Sequence, residues 1–303
     1  MEIFIGIDGG GTKTKFTLKK GDEVYSSKEK TIHPMQATKE EFYERIKNGI
    51  ESVCKKAQVS ISDISYTFAA IPGFGQYAQK EKDMPEIFEK ILGTKNFKLA
   101  NDAVVGWAGS LEAKEGVNLV LGTGAITYGV DKNGKKLRAS GWGPKIGDEG
   151  SGYWIGMQII NAFTKQADFR HERGALYNIV KDYFSIENDL DIINIVEGMK
   201  REEIAAISQI LMQSVEKDDK DAKAILDKAA FEAASAIDAT IEKLDFDNPV
   251  KVSYSGGVFN IGEVFINKIK KYSKNEIEIV EPKLTPDMGA VLLAKKSFEG
   301  SWN

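Results

Sequence analysis

The sequence has very few of the residues on which disulfide, zinc and serine-hydrolase chemistry depend. Its 303 residues include one cysteine, Cys54, and two histidines, His33 and His171. A single cysteine excludes a disulfide within the chain, and two histidines argue against zinc sites built from several imidazoles. No Gly-x-Ser-x-Gly segment is present, so the nucleophile elbow of serine hydrolases is absent. Cys54 lies in a helical pattern, and we expect a small buried hydrophobic side chain without a catalytic role.

An excess of basic residues and long apolar runs are also missing. The 41 Lys and Arg residues are outnumbered by 45 Asp and Glu residues, for a formal net charge of −4, which gives no basic surface for nucleic acid. No window approaches the roughly 18 uninterrupted apolar residues of a membrane span. Met1 leads directly into a strand pattern, without the basic and apolar regions of a signal peptide. We therefore expect a cytoplasmic protein with neither a nucleic-acid partner nor a membrane association.

The length of the chain is sufficient for two domains, each with its own core. The polar stretch Glu112–Gly116 is the best candidate boundary, because the strand pattern starts again directly after it. We expect a first domain over 1–114 and a larger second domain over 115–303, whose terminal helix is able to pack back on the first domain.

Periodicity predicts an α/β protein. The first third follows the order β-β-β-α-β-α, and a βαβ unit closes the chain at 250–280. Apolar residues spaced three and four apart predict the main helices, which are 39–57, 103–111, 152–165, 202–215, 220–243 and 288–296.

The opening segment 3–14 carries the strongest local signal. An apolar strand ends in Asp8 and three glycines, followed by Thr12 and a second strand pattern. Glycines let backbone N–H groups converge on an anion, and a carboxylate at this point suits a hydrated Mg²⁺. The pattern predicts a phosphate-binding hairpin; the alternative is a tight glycine-rich turn. A P-loop is rejected, because Thr12 stands where that motif needs Lys and no helix follows.

The same strand–turn–strand pattern occurs a second time, about the length of one small domain further along the chain. The apolar run 117–121 is followed by Gly122-Thr123-Gly124 and then by a strand-like segment ending at Val130. Either hairpin alone could be structural. The presence of two such hairpins, the first of which carries an acid, indicates paired contacts to a polyphosphate.

Asp102 stands where a predicted strand changes into a helix. Asp is a favoured helix N-cap, and capping alone would explain it. Phosphoryl transfer to an alcohol, however, needs a carboxylate that orients the hydroxyl and accepts its proton. Asp102 is therefore our candidate for that base.

Two further segments are rich in glycine. The stretch 141–152 contains five glycines with Trp142, Asp148 and Glu149; an aromatic ring beside carboxylates is typical of a sugar site. The alternative is a long turn whose two acids cap the helix that opens at Ser151. Gly256 and Gly257 follow a strand, where small residues would let a nucleoside or phosphate approach a helix N-terminus, or would serve packing alone.

In order and spacing, these motifs resemble the N-acetylglucosamine kinases of the acetate-and-sugar-kinase, heat-shock-chaperone and actin superfamily. Close relatives of these kinases are the ATPase subunits that activate benzoyl-CoA reductase. The resemblance covers essentially the whole chain. The opening loop marks the superfamily, whereas Gly141-Trp142-Gly143 with Gly147-Asp148-Glu149-Gly150-Ser151 is specific to the kinase branch.

The resemblance implies two ribonuclease-H-like domains, the actin-like ATPase fold, with MgATP and a hexosamine bound in a cleft. We also expect a homodimer. By this analogy Asp8 holds Mg²⁺ through water, and Asp102 is the base on the sugar 6-hydroxyl. The implied ATP contacts are Gly10, Gly11, Thr12, Lys13, Gly122, Thr123, Gly124, Gly256 and Gly257. The implied sugar contacts are His33, Asp102, Gly141, Trp142, Gly143 and Asp148.

Two departures from the family pattern bear on ligand contacts. The loop 31–36 lacks the Asn with which relatives grip the substrate, and His33 or Gln36 would replace it. The segment 214–219 lacks both glycines of the Gly-Ala-x-x-Gly-Asp turn found near the adenine in many relatives. The sugar and the adenine contacts therefore differ from the family pattern at these places.

Three functions are compatible with these features. The leading one is ATP-dependent phosphorylation of an amino sugar, with N-acetylglucosamine preferred and N-acetylmuramate, glucosamine or another hexose as alternatives. The second is an ATPase activator of a reductase or dehydratase, which the single cysteine disfavours because such activators commonly bridge a dimer with an iron–sulfur cluster. The third is a non-catalytic sugar sensor, against which the retained Asp8, Thr12, Asp102 and Thr123 argue.

Overall fold

The computed structural model describes residues 2–302, and the chain divides into two compact units. The first comprises Met1–Lys114 together with Glu281–Asn303, and the second comprises Glu115–Val280. Each unit contains a five-stranded sheet with helices packed on it. Within residues 2–302, no helix combines the length and apolarity that crossing a membrane requires.

The first unit begins with an antiparallel meander that continues into parallel strands. Its sheet has the order β3-β2-β1-β4-β5, with β1 antiparallel to β2 and parallel to β4. The elements up to residue 110 are β1 (Ile3–Gly9), β2 (Lys13–Lys20), β3 (Glu23–Lys30), α1 (Lys39–Ala57), β4 (Tyr66–Ile71), α2 (Ala78–Glu81), α3 (Met84–Leu92), β5 (Phe97–Asn101) and α4 (Asp102–Ser110).

Helix α1 shows how local sequence sets these elements. Thr38 and Glu41 form a reciprocal capping box, with the Glu41 backbone N–H donating to Thr38 Oγ1 at 3.2 Å and the Thr38 N–H to Glu41 Oε2 at 2.9 Å. The buried face of α1 carries Ile46 and Ile50, which belong to the same apolar core as Phe16 of β2. The spacing of four between Ile46 and Ile50 puts both on one side of the helix.

The second unit repeats the strand arrangement of the first. Its sheet has the order β10-β9-β6-β7-β8, with β6 antiparallel to β7 and parallel to β9. Its elements are β6 (Gly116–Leu121), β7 (Ala125–Val130), β8 (Lys136–Ser140), α5 (Gly152–Ala167), α6 (Ala175–Phe184), α7 (Asp191–Gly198), α8 (Arg201–Ala206), α9 (Leu211–Glu216), α10 (Lys220–Ile241), β9 (Val250–Ser255), α11 (Glu263–Tyr272) and β10 (Ile277–Val280).

The last helix, α12 (Pro286–Phe298), belongs to the first unit. It approaches β1 so closely at Gly6 that a β-carbon there would lie 2.5 Å from the Val291 nitrogen and 2.6 Å from the Asp287 carbonyl oxygen. At Gly289, a β-carbon would lie 2.3 Å from the Gly109 nitrogen of α4. Glycine at these contacts allows backbone to pack on backbone, which fixes α12 against both β1 and α4.

Several elements differ from the sequence-based expectation. Helix α3 and the helices α6 and α7 were not expected, nor was strand β8. The helix expected over 202–215 is interrupted by a 3₁₀ segment, Ile207–Ile210, between α8 and α9. The added helices have 8 to 10 residues each, which is short for a periodic pattern to reveal.

Candidate active site

The turn between β1 and β2 presents the predicted phosphate-binding residues of the first unit. The Gly10 N–H donates to the Lys13 carbonyl at 2.8 Å, and the Thr31 hydroxyl donates to the Gly10 carbonyl at 2.7 Å. Gly11, Thr12 and Lys13 are exposed, and no atom beyond the adjacent residues lies within 4 Å of where a Gly11 β-carbon would be. The turn is thus held at its base and open at its tip.

Asp8 lies at the carboxyl end of β1, directly before this turn. Burial, and after it the nearby carboxylates of Asp102 and Asp287, raise its pKa to about 6, against the opposing charges of Lys15 and Lys13. Three carboxylates thus share one electrostatic environment. Within residues 2–302, no cluster of three or more His, Cys, Asp or Glu side chains has the arrangement of a metal site. A single carboxylate ligand such as Asp8 fits Mg²⁺, which keeps several waters and binds phosphate oxygens.

Asp102 is the first residue of α4, and the cap of this helix is its neighbour. The Asn101 side chain accepts a hydrogen bond of 3.0 Å from the Ala103 N–H, so the interpretation of Asp102 as the N-cap is wrong. Burial raises the pKa of Asp102 to about 6, although backbone N–H groups, including those of Gly73 and Ala103, donate to its carboxylate and favour the charged form. Such a carboxylate is ionised at neutral pH and is a stronger base than an exposed aspartate.

A loop after β4 supports Asp102, and its anchor was not predicted. The Glu81 carboxylate accepts hydrogen bonds from the N–H groups of Gly75, at 2.9 and 3.0 Å, and of Tyr77, at 3.0 Å. Asn101 donates its amide N–H to the Phe74 carbonyl at 3.2 Å. Glu81 and Asn101 therefore hold the loop whose Gly73 N–H reaches Asp102.

His33 lies in a loop that is tied to the phosphate-binding turn. Its backbone N–H donates to Thr31 Oγ1 at 3.1 Å, and Thr31 in turn bonds Gly10. Its Nδ1 accepts a hydrogen bond of 3.1 Å from the Met35 N–H, and its ring centroid lies 5.7 Å from that of Tyr77. An accepting Nδ1 leaves the proton of a neutral imidazole on Nε2, which is then a donor.

In the second unit, the turn Gly122–Gly124 is held by the start of α5. The Gly122 N–H donates to the Gly124 carbonyl at 2.9 Å, and the Gly152 N–H donates to the Gly122 carbonyl at 2.8 Å. Thr123 is exposed. A β-carbon at Gly256 would lie 2.3 Å from the Leu121 carbonyl oxygen, so Gly256 packs against the end of β6. Close packing thus accounts for Gly256. At Gly257, by contrast, no atom beyond the adjacent residues lies within 4 Å of the position that a β-carbon would take.

Asp148 is buried by two partners beside this turn. Its Oδ1 accepts a hydrogen bond of 3.0 Å from the Gly143 N–H, and its Oδ2 lies 2.6 Å from Nη2 of Arg201. The Asp148 side chain is 4% exposed and that of Arg201 is 42% exposed. Ser151 caps α5, since its Oγ accepts from the Trp154 N–H at 3.1 Å. The alternative in which Asp148 and Glu149 cap α5 is therefore wrong.

Trp142 directly precedes Gly143, the residue whose N–H bonds Asp148, and its side chain is exposed. Its side chain is 67% exposed, and the Arg138 guanidinium lies 5.7 Å from its ring centroid. Gly141 and Gly143, on either side, have φ values of 74° and 93°, a region that favours glycine. An exposed ring between two glycines is suited to stack on a flat apolar ligand face.

The structure thus forms two groups of predicted residues. In the first unit Asp8 and Asp102 interact electrostatically, and hydrogen bonds connect Gly10 to the His33 loop. In the second unit Gly122, Gly124, Asp148 and Gly256 lie close together. Residues that contribute but were not predicted are Glu81, Arg201, Asp287 and Gly73.

Comparison with known proteins identifies related chains. The sequence profile described as the BadF/BadG/BcrA/BcrD ATPase family matches residues 5–294. An N-acetylmuramic acid/N-acetylglucosamine kinase of Clostridium acetobutylicum is 31% identical over 311 aligned positions, covering 99% of this chain and 100% of that protein. An N-acetyl-D-glucosamine kinase of Dictyostelium discoideum is 29% identical and covers 98% of each chain.

Solved structures show the same fold. A candidate N-acetylglucosamine kinase from Chromobacterium violaceum superposes with a TM-score of 0.78 at 21% identity, covering 97% of this chain and 99% of that chain. A hexokinase from Schistosoma mansoni complexed with glucose has a TM-score of 0.61 at 13% identity, covering 97% and 85%. The predicted α/β fold of the actin-like ATPase class is confirmed.

Proposed function

This chain belongs to the BadF/BadG/BcrA/BcrD ATPase family, and we propose that it is an ATP-dependent kinase that converts N-acetylglucosamine to its 6-phosphate. The observation that carries the proposal is Asp102, a carboxylate whose pKa is raised to about 6, in electrostatic contact with Asp8 beside the β1–β2 turn. The C. acetobutylicum and D. discoideum relatives support the same class of substrate.

Asp102 supplies the base that the reaction needs. A sugar hydroxyl that attacks phosphorus must lose its proton as the new P–O bond forms, and a positioned carboxylate accepts it. The N–H groups of Gly73 and Ala103 donate to the carboxylate and fix its orientation. Its pKa of about 6 keeps it ionised at neutral pH while making it more basic than an exposed aspartate.

For the nucleotide, we propose contacts from both glycine-rich turns. Gly10, Gly11, Thr12 and Lys13 would contact phosphate oxygens in the first unit, and the segment Gly122–Gly124 in the second. Asp8 would hold Mg²⁺ through water, and the ion would neutralise the charge on the phosphates. Gly256 and Gly257 would face the nucleoside.

For the sugar, we propose contacts from the loop around Trp142 and from His33. The exposed indole of Trp142 would stack on the pyranose face, with the backbone of Gly141 and Gly143 beside it. Asp148 would accept hydrogen bonds from hydroxyls. His33, with Nε2 as its donor, would hydrogen-bond the acetyl carbonyl and select N-acetylated sugars.

N-acetylmuramate is a second candidate substrate. The C. acetobutylicum relative carries both substrates in its name and is 31% identical over 99% of this chain. N-acetylmuramate shares the acetamido group that His33 is proposed to contact, and it also has a free 6-hydroxyl. The two sugars would therefore use the same base.

A panel of sugars tests the substrate class. We expect coupled ADP-release assays to give kcat/KM values for N-acetylglucosamine and N-acetylmuramate that exceed those for glucosamine and glucose. His33→Ala should lower the values for the two acetylated sugars and leave the other two nearly unchanged. A preference for glucosamine or glucose, or an equal effect of His33→Ala on all four, would contradict the assignment of the acetyl contact.

The assembly is also a proposal. We propose a homodimer. The proposal is supported by apolar side chains that the second unit exposes, namely Phe169, Leu190 and Ile193, which are 74%, 68% and 52% exposed. Sedimentation equilibrium tests the assembly: a species of twice the chain mass of 33.4 kDa is expected, and a monomer at all concentrations would contradict it.

A cytoplasmic location is proposed as well. The one cysteine, Cys54, is a buried free thiol, and burial raises its pKa to about 11. A chain without disulfides is typical of a reducing compartment. Fractionation of cells that express the protein tests this, and recovery in a secreted or membrane fraction would contradict it.

A further inference from the structure

Arg201 lies directly on the predicted phosphate-binding turn of the second unit. A β-carbon at Gly124 would be 2.7 Å from Nη2 of Arg201 and 2.8 Å from Oδ2 of Asp148. The absence of a side chain at Gly124 therefore makes room for the Arg201–Asp148 ion pair. Neither the turn motif nor the start of α8 indicates this contact, because 53 residues separate Arg201 from Asp148.

Arg201 also covers the carboxylate that is proposed to bind sugar. The Asp148 side chain is only 4% exposed, with Oδ1 bonded to the Gly143 N–H and Oδ2 bonded to Arg201. A sugar hydroxyl would reach this carboxylate only after the guanidinium has moved. The Arg201 side chain, at 42% exposed, is on the solvent side of the pair.

We propose that Arg201 is a phosphate-binding residue that Asp148 holds in the sugar-free protein, and that sugar binding to Asp148 transfers it to a phosphate on the Gly122–Gly124 turn. The inference rests on the proposed sugar-kinase function. A guanidinium offers five N–H donors in a planar fork that matches the oxygens of a phosphate. Losing Asp148 as a partner would leave the arginine beside the turn with its charge unpaired, and phosphate supplies the replacement.

The exchange of partners has a thermodynamic consequence. Sugar frees Arg201 for phosphate, and phosphate draws Arg201 away from Asp148, so each ligand should strengthen the binding of the other by the same factor. Hydrogen bonds to charged groups of this kind correspond to roughly a tenfold effect or more. Arg201 would thus couple sugar binding at Asp148 to phosphate binding at the Gly122–Gly124 turn.

Calorimetry on the whole protein tests the coupling, with a non-hydrolysable ATP analogue and Mg²⁺ titrated with and without saturating N-acetylglucosamine. In the wild type, the sugar should strengthen analogue binding by about tenfold or more. Arg201→Ala should reduce this factor to about one and weaken analogue binding in the presence of sugar. The matched control is Arg170→Ala, which removes another arginine of the second unit from its ion pair with Asp168 and should retain the full factor.

A second variant, Asp148→Asn, should change the affinity for the ATP analogue in the direction opposite to Arg201→Ala. Asp148→Asn keeps the size of the side chain but removes the charge that holds Arg201, so analogue binding without sugar should become tighter than in the wild type. Thermal unfolding of both variants shows whether they are folded, and the Asp148→Asn titration remains decisive if Arg201→Ala does not fold. Analogue binding without sugar that is unchanged or weakened in Asp148→Asn would overturn the proposal.

Wild-type turnover separates this inference from the proposed function. If the wild type phosphorylates N-acetylglucosamine but Arg201→Ala retains the coupling, the exchange of Arg201 is wrong and the sugar-kinase function stands. If the wild type neither binds nor phosphorylates any sugar of the panel, the proposed function fails and the inference fails with it.

Discussion

The hydroxyl of Thr17 donates a hydrogen bond of 2.7 Å to Oδ2 of Asp287, across 270 residues of the chain. Lys15 pairs with the same oxygen at 2.9 Å. Burial opposes ionisation of Asp287, but the bonds from Lys15, Thr17 and Thr285 outweigh it, and the pKa of this carboxyl lies below its ordinary value. Asp287 thus fastens the first turn of α12 to strand β2, directly beside the backbone contact at Gly6.

We expect Asp287→Ala to destabilise the first unit, because the buried Thr17 hydroxyl and the Lys15 ammonium lose their common partner. The cost should be about 2–4 kcal/mol, which is typical of breaking a buried charged interaction. Urea unfolding at pH 7 measures it. The control, Asp247→Ala, removes an aspartate that is 77% exposed and pairs with Lys132, and should have little effect.

The Asp287 effect should depend on pH in a defined direction. A carboxyl whose pKa is lowered in the folded state stabilises the fold above its unfolded pKa, near 3.8, and this contribution is lost as the pH falls through the folded value. The difference between wild type and Asp287→Ala should therefore shrink below about pH 4. Equal stability of the two proteins at pH 7 would contradict the role given to Asp287.

Asp102→Asn should lower kcat by about 10² or more, the scale of general base catalysis, because an amide cannot accept the hydroxyl proton. Binding of ATP and sugar should change little. Steady-state kinetics and calorimetry measure the two effects. Asp83→Asn alters an exposed aspartate of the same unit that pairs with Lys39 and should keep wild-type turnover; wild-type turnover in Asp102→Asn would eliminate Asp102 as the base.

The same substitution should stabilise the protein at neutral pH. The pKa of Asp102 is raised from 3.8 to about 6 in the folded state, so the folded protein binds more protons than the unfolded chain between these values. Stability therefore falls as the pH rises through this window, by at most about 3 kcal/mol at pH 7. Asp102→Asn should raise the melting temperature at pH 7.5, and the gain should disappear near pH 4. A lower melting temperature at pH 7.5 would show that burial does not destabilise the Asp102 carboxylate.

The local motifs were predictable because their signals are short. The Asp8 hairpin, the Gly122–Gly124 turn and the strand-to-helix junction at Asp102 follow from apolar runs that end in glycines or acids. The order of these motifs carried the family resemblance, and the resemblance implied the fold class. The two sheets repeat one strand order, which agrees with two similar hairpins in the sequence.

The supporting contacts were not predictable, because each depends on residues distant in the chain. Arg201 reaches Asp148 over 53 residues, and Asp287 reaches Thr17 over 270. Glu81 supports the Gly73 loop from a helix of four residues, too short for periodicity to reveal. Gly6 admits α12 against β1, a contact that the strand pattern of β1 does not reveal.

Asp8→Ala should weaken Mg²⁺-dependent nucleotide binding more than sugar binding, since the ion would bind phosphate oxygens rather than sugar hydroxyls. Calorimetry with and without Mg²⁺ separates the two ligands. In the variant, ATP affinity should become nearly independent of Mg²⁺. Equal losses for nucleotide and sugar would show that Asp8 supports the fold rather than the ion.

The central claim is that the terminal phosphate of ATP moves to the 6-hydroxyl of an N-acetylated amino sugar. The most direct measurement is phosphorus NMR of the products formed from ATP, Mg²⁺ and N-acetylglucosamine. The account predicts one equivalent of N-acetylglucosamine 6-phosphate for each ADP, and no phosphorylation of the 6-deoxy sugar. ADP formed with inorganic phosphate alone, or phosphate attached at another hydroxyl, would contradict it.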